Sequence, residues 1–184
     1  MTNLNIKQKT IVKEVTLSGV GLHTGKSVNM TFKPAPENYG YAFVRIDLEG
    51  NPVIEADANY VVTTERGTNL EKNGVNINTS EHVLAALVGL QIDNCIIELD
   101  ASEPPIMDGS SKYFIEILET AGLIEQEAFV EEYVVKEIIS YKDEKTGSEI
   151  MILPSEKYEL TTMVDFGTNV LGTQNAFINE ISEF

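Results

Sequence analysis

Basic and redox-active side chains are scarce in this chain. Arginine occurs only at Arg45 and Arg66, and Lys plus Arg total 13 against 29 Asp plus Glu, a formal charge of −16. A nucleic-acid binder needs a basic face to displace counterions, so that class is excluded. The acid excess clusters late, in Glu125-Gln126-Glu127 and Glu131-Glu132, and reads as solvated surface. The single cysteine, Cys95, rules out a disulfide framework and points to a reducing, cytoplasmic setting. Its neighbours Ile96 and Ile97 predict a buried, inert thiol. No run of about 18 apolar residues occurs, so no membrane-spanning helix is expected. Met1 to Lys9 is polar and lacks the apolar heart of a secretory signal. Neither a G-x-G-x-x-G loop nor a G-x-S-x-G elbow is present.

What remains is a chain of 184 residues, 42% hydrophobic, enough for one good core or for one domain and part of another. Thr10 to Leu17 alternates apolar and polar residues as a half-buried strand does. Three glycines fall within Gly19 to Gly25, predicting a tight turn or a close backbone approach. Ser27 to Phe32 and Tyr41 to Leu48 read as further strands. Ala56 to Thr64 gives no clear pattern. Asn73-Gly74 between alternating arms predicts a hairpin. A helix from Ser80, a strand from Asn94 to Leu99, a proline-rich loop around Glu103 to Gly109 and a helix from Ser111 to Ala121 complete the block. Strand and helix signals in separate blocks predict an α+β fold, a two-layer sandwich of a mostly antiparallel sheet with helices on one face.

The later residues echo the earlier ones. Val12-Lys13-Glu14-Val15 returns as Val135-Lys136-Glu137-Ile138. Ser27 to Pro34 is matched by Ser148 to Pro154, and Tyr41 to Asp47 by Tyr158 to Asp165. Three matches in one order predict two copies of one unit. A first domain is expected over 1–126 and the start of a similar second domain over 127–184. The apolar segment Asn175 to Phe184 arrives where the second copy's helices would begin. The expectation is therefore that further sequence completes the functional protein.

The chemistry concentrates in Thr79-Ser80-Glu81-His82, which opens the first helix. Thr79 or Ser80 can cap it and Gly89 can end it. Val83 to Leu90 carries no charge, so most of this helix should be buried. An acid beside an imidazole is costly in such a setting unless something pairs with it. Neighbours on a helix project about 100° apart, so His82 can bind a metal while Glu81 reaches a water beside it. The i, i+4 histidine pair of the metalloprotease helix is missing. The plainer alternatives stand beside this reading: Glu81 as a dipole partner and His82 as a hydrogen-bonded core residue. His23, in the glycine-rich turn, can be a ring satisfied by backbone groups. Asp108-Gly109 reads as turn and cap chemistry.

Four motifs in order, Val20-Gly21-Leu22-His23-Thr24-Gly25, Thr79-Ser80-Glu81-His82, Gly89-Leu90-Gln91-Ile92-Asp93-Asn94 and Pro105-Ile106-Met107-Asp108-Gly109-Ser110, resemble the UDP-3-O-acyl-N-acetylglucosamine deacetylases, zinc amidases of lipid A synthesis. The resemblance implies two similar α+β domains with the active site between them, in agreement with the repeat. It implies that His82 is a ligand to Zn2+ and Glu81 the general base that takes a proton from the attacking water. It places His23 near the substrate, a UDP-linked acylated amino sugar. Peripheral membrane contact and fusion to a dehydratase are compatible with it. The family's second-domain His-Lys-x-x-Asp motif, which supplies the remaining zinc ligands, does not occur here. Neither does the later histidine that assists the leaving group. The chain by itself is therefore expected to bind zinc weakly and to lack deacetylase activity, its partner being the missing C-terminal part of the same protein. Two other readings are a non-enzymatic α+β interaction domain with a structural Glu81–His82 pair, and a different metal hydrolase using His23 and His82 together.

Overall fold

The computed structural model describes residues 6–181. The first five positions of the polar opening stretch and the last three of the closing apolar segment lie outside them. The described residues fall into two compact units, 6–130 and 131–181.

In the first unit ten strands and two helices run in the order β1 (Lys7–Ile11), β2 (Val15–Val20), β3 (Ser27–Pro34), β4 (Tyr41–Arg45), β5 (Val53–Glu55), β6 (Val61–Thr63), β7 (Asn69–Lys72), β8 (Val75–Ile77), α1 (Glu81–Gly89), β9 (Cys95–Leu99), α2 (Lys112–Ala121) and β10 (Leu123–Phe129). The class is α+β. A five-stranded sheet in the order β2-β3-β9-β4-β5 forms one layer, antiparallel except for the β4–β9 pair. Register aligns Phe32, Ile97, Phe43 and Ile54 in one row across it, and all four are fully buried. Val83, Ala86 and Leu87 of α1 and Phe114, Leu118 and Ala121 of α2 belong to the same core cluster. Both helices therefore cover this face of the sheet. The opposite face carries polar pairs such as Thr16–Thr31 and Ser18–Asn29. Phe43→Ala removes the centre of the row and is expected to destabilise the fold by about 3–5 kcal/mol, read as a shift in the urea midpoint.

Several expectations are corrected by pairing partners. The alternation from Thr10 to Leu17 is two strands. β1 leaves the main sheet to pair with β10, whereas β2 pairs with β3. The break comes at Val12, whose N–H donates to Gly122 O. Thus the acidic stretch Glu125-Gln126-Glu127 is part of a strand, with its acids on the exposed side and half-buried Gln126 accepting from Asn94 Nδ2. The expected hairpin is present, with Asn73 (φ 54°) and Gly74 (φ 79°) both left-handed between β7 and β8, as a type I′ turn requires. α1 ends at Gly89, as expected, but that glycine is not the left-handed residue. Gln91 (φ 54°) takes that position, and Gln91 N–H donates to Val88 O while Ile92 N–H donates to Leu87 O, a Schellman closure with Leu87 and Ile92 both buried beneath it. Burial of α1 is one-sided: Val83, Ala86 and Leu87 face the core, while Val88 is 45% exposed.

Cys95 is fully buried in β9, its thiol near Lys33 O, and burial pushes its pKa up to about 12. The thiolate needed for reaction is therefore absent at neutral pH.

The second unit holds two hairpins, β11 (Ile139–Lys142) with β12 (Glu149–Ile152) and β13 (Leu160–Asp165) with β14 (Thr173–Ile178). β12 and β13 occupy the segments that echo β3 and β4. Among the described residues no strand pairs with both, as β9 does between β3 and β4. Ile150, Met151, Met163, Val164 and Phe177 are accordingly exposed.

Candidate active site

Glu81 and His82 form the first turn of α1, beside the N-terminal end of the β7–β8 hairpin. Neither Thr79 nor Ser80 caps the helix with its side chain, contrary to expectation. Ser80 Oγ instead donates to Thr68 O at 2.9 Å, and Thr79 Oγ1 donates to Glu103 Oε1 at 3.0 Å. The residue before the helix is thus held by the neighbouring chain, leaving the first helical turn open. Thr79 adopts φ 54°, a left-handed conformation that a β-branched residue takes only at a cost. Its N–H is fixed by Asn69 Oδ1 at 3.1 Å.

Glu81 Oε2 accepts from Thr68 N–H at 2.8 Å, and its other oxygen lies 4.0 Å from His82 Nε2. That separation is too long for a hydrogen bond. One carboxylate oxygen is therefore anchored and the other is turned toward the imidazole. The two side chains keep 38% and 30% of their surface accessible, respectively, so both can meet a reactant. From the other side, Ser111 Oγ donates to His82 O at 2.9 Å and ties the start of α2 to this turn.

His23 sits in the turn between β2 and β3, where Gly21 and Gly25 close a short loop by backbone bonds. Its ring Nε2 lies 3.1 Å from Arg66 O. A carbonyl only accepts, so Nε2 is the donor in this bond and Nδ1 is the ring nitrogen left to face a ligand. Arg66 (φ 61°) and Gly67 (φ 153°) lead directly into Thr68, which holds Glu81. The segment 66–68 thus touches both histidine-bearing elements. A Cβ on Gly67 would lie 3.3 Å from Thr79 Cα and 3.4 Å from Glu81 Oε1, so the close approach suits glycine.

Sequence reasoning passed over Glu103. Its carboxylate is fully buried and accepts from Thr24 N–H and Thr24 Oγ1, both at 2.9 Å, from His23 N–H at 3.1 Å and from Thr79 Oγ1 at 3.0 Å. Burial alone would raise its pKa. The bonds from Thr24, His23 and Thr79 together outweigh that cost and hold the carboxyl below its ordinary value. The available signal was a lone acid between Ala101 and Pro104-Pro105. Because the folded value lies below the unfolded one, the stability that Glu103 contributes is present above about pH 4.3 and is lost as pH falls through the folded value. Glu103→Gln should therefore flatten the acid limb of a plot of urea midpoint against pH. The same crowding makes Gly21 necessary: a Cβ there would lie 2.4 Å from Thr24 Oγ1 and 2.6 Å from Glu103 Oε2. Gly21→Ala is expected to cost about 2 kcal/mol, as overpacking does, read by thermal unfolding.

Among the described residues no group of three or more His, Cys, Asp or Glu side chains is placed to hold a metal ion. His82 fits as a single imidazole ligand, and these residues do not by themselves complete a zinc site. The same finding leaves the reading that joins His23 and His82 in one metal centre without a third ligand.

Residues 8–183 match the family described as UDP-3-O-acyl N-acetylglycosamine deacetylase. The chain belongs to that family. It is 45% identical over 179 residues to a bifunctional enzyme LpxC/FabZ of Bacteroides thetaiotaomicron, covering 97% of this chain and 39% of the relative. It is 41% identical over 169 residues to a UDP-3-O-acyl-N-acetylglucosamine deacetylase of Myxococcus xanthus, covering 91% and 53%. A deacetylase of the same name from Wigglesworthia glossinidia brevipalpis is 40% identical over 190 residues, with 97% and 63% covered. The chain thus spans between 39% and 63% of the length of these relatives. Within this deacetylase family domain, the Gly21–Thr24 turn, the Glu81–His82 turn and the Glu103 loop are the segments that the hydrogen bonds draw together. No helix among the described residues is long and apolar enough to cross a membrane.

Proposed function

We propose that this chain supplies one wall of the active site of a zinc-dependent, cytoplasmic deacetylase. It removes the N-acetyl group from UDP-3-O-(3-hydroxyacyl)-N-acetylglucosamine in lipid A synthesis. The observation that carries the reading is the pairing of an anchored, accessible Glu81 carboxylate with an accessible His82 imidazole on one helical turn, in a chain of this family.

In this reading the domains lie over 1–126 and 127–184, and His82 is one ligand to zinc. The other ligands come from outside the described residues. Zinc held there in part by His82 would supply polarisation of the amide carbonyl and easier ionisation of water. Glu81 removes the proton from the water that attacks the acetyl carbonyl. The bond to Thr68 N–H restrains one carboxylate oxygen while the other accepts that proton. Collapse of the tetrahedral adduct breaks the C–N bond as the proton held by Glu81 passes to the departing nitrogen, releasing acetate and the free amine. His23 contacts the substrate through Nδ1, with Nε2 held by Arg66 O.

The test is acetate release from the acylated UDP-sugar by the full-length gene product. The reading requires turnover that a chelator abolishes and zinc restores, together with no turnover and weak zinc binding by residues 1–184 alone. A zinc-replete full-length protein that releases no acetate overturns it in favour of an interaction domain. Turnover by residues 1–184 alone would remove the need for ligands from outside them.

A further inference from the structure

Two polar segments of the site come from regions of the chain about 60 residues apart, and one buried group joins them. We infer that Glu103 is the positioning residue that fixes the His23 turn against the entry to α1, so that His23 and the Glu81–His82 pair form one rigid wall. The part of this inference that concerns turnover rests on the deacetylase reading.

The geometry supports a structural link that acts directly on the site. Glu103 is fully buried, and among the described residues no cation pairs with it. Its carboxylate is balanced only by donors, and each donor lies next to a site residue. On one side are the N–H groups of His23 and Thr24 and the Thr24 hydroxyl. On the other side is the hydroxyl of Thr79, two residues before Glu81. An ionised acceptor makes each of these bonds stronger than a neutral one would. Thr79 is the strained residue, at φ 54°. A bond at its side chain, in addition to the Asn69 bond at its N–H, resists relaxation to an ordinary conformation. Such a relaxation would rotate the first turn of α1 and carry Glu81 with it. Gly21 permits the carboxylate to come this close. Glu103 itself has no surface exposed to a reactant, so it acts through the elements it binds. Misplacement of a general base by a fraction of an ångström lowers turnover without weakening substrate binding equally.

Thr79→Val separates this role from general stabilisation. It is isosteric and β-branched, so backbone strain is unchanged, and it deletes only the bond between Glu103 and the α1 entry. In the full-length gene product the expected result is a fall in kcat of about tenfold, with KM within about twofold. Tenfold corresponds to about 1.4 kcal/mol, just under what one hydrogen bond to a charged group contributes. Glu103→Gln should retain kcat within about threefold, because one amide oxygen can accept from both backbone N–H groups while the amide nitrogen donates to Thr79 Oγ1. Glu103→Ala should lower kcat and raise KM, since it releases both segments. If Glu103→Ala does not fold, Thr79→Val still decides the matter. A folded Thr79→Val enzyme with kcat within twofold of wild type overturns the inference, as does a rise in KM with kcat unchanged. If the wild-type protein releases no acetate, the deacetylase reading fails. The link is then read from backbone amide resonances of residues 1–184 instead. Thr79→Val is expected to shift Gly21 to Thr24 together with Glu81 and His82. Shifts confined to the α1 side would show that Glu103 does not couple the two.

Discussion

Glu81→Gln is expected to lower the deacetylation rate of the full-length gene product by at least about a hundredfold, the usual scale for loss of a positioned general base. The variant isolates the proton transfer. Glutamine has the same length, and its amide oxygen can still accept from Thr68 N–H, which holds Glu81 Oε2 at 2.8 Å in the native protein. Entry to the helix, the Ser80–Thr68 bond and the core contacts of Val83, Ala86 and Leu87 are untouched. What disappears is the second oxygen, turned toward His82 at 4.0 Å, as a proton acceptor. KM should therefore change little while kcat falls, and thermal stability should stay near that of the wild type. A rate within about threefold of wild type would remove the role given to Glu81.

His82→Ala is expected to abolish stoichiometric zinc binding, weakening affinity by more than about a hundredfold. Loss of a directly bound ligand must exceed the 10–100-fold seen when only a supporting group is removed. Among the described residues the ring makes no hydrogen bond of the kind that holds His23. Glu81 Oε1 lies 4.0 Å away, beyond bonding distance, and 30% of the His82 side chain is accessible. The helix is held here by the backbone of His82, whose carbonyl accepts from Ser111 Oγ, and alanine keeps that bond. The variant should thus stay folded while it loses metal, as shown by zinc content after dialysis and by an unchanged unfolding curve. Retention of one zinc per chain would reassign His82 to a structural role.

The contrast between these residues and Glu103 shows what kind of information a sequence carries openly. Local signals were legible. The Asn73-Gly74 turn, the helical spacing of Phe114, Leu118 and Ala121, and the adjacency of Glu81 and His82 each depend on near neighbours. Features set by distant partners were not. Glu103 reads as one acid among 29, because the donors that make it special belong to residues 23, 24 and 79 and meet it only in the fold. β10 was hidden for the same reason: its acids suggest solvated surface, and its partner β1 lies over 110 residues earlier in the chain. Capping failed as an expectation at Ser80 because a serine hydroxyl has several uses, and here Thr68 O takes the proton. The strain at Thr79 is likewise invisible locally. Threonine has no preference for a left-handed backbone, and the bonds to Asn69 and Glu103 hold it there.

The central claim is that the Glu81–His82 turn is half of a zinc site. It is tested most directly by zinc K-edge absorption spectroscopy on the full-length gene product and its His82→Ala counterpart. The account predicts imidazole nitrogen scattering at about 2.0–2.1 Å in the wild type and the loss of that protein-bound zinc signal from the dialysed variant. An identical shell in the two proteins would contradict it.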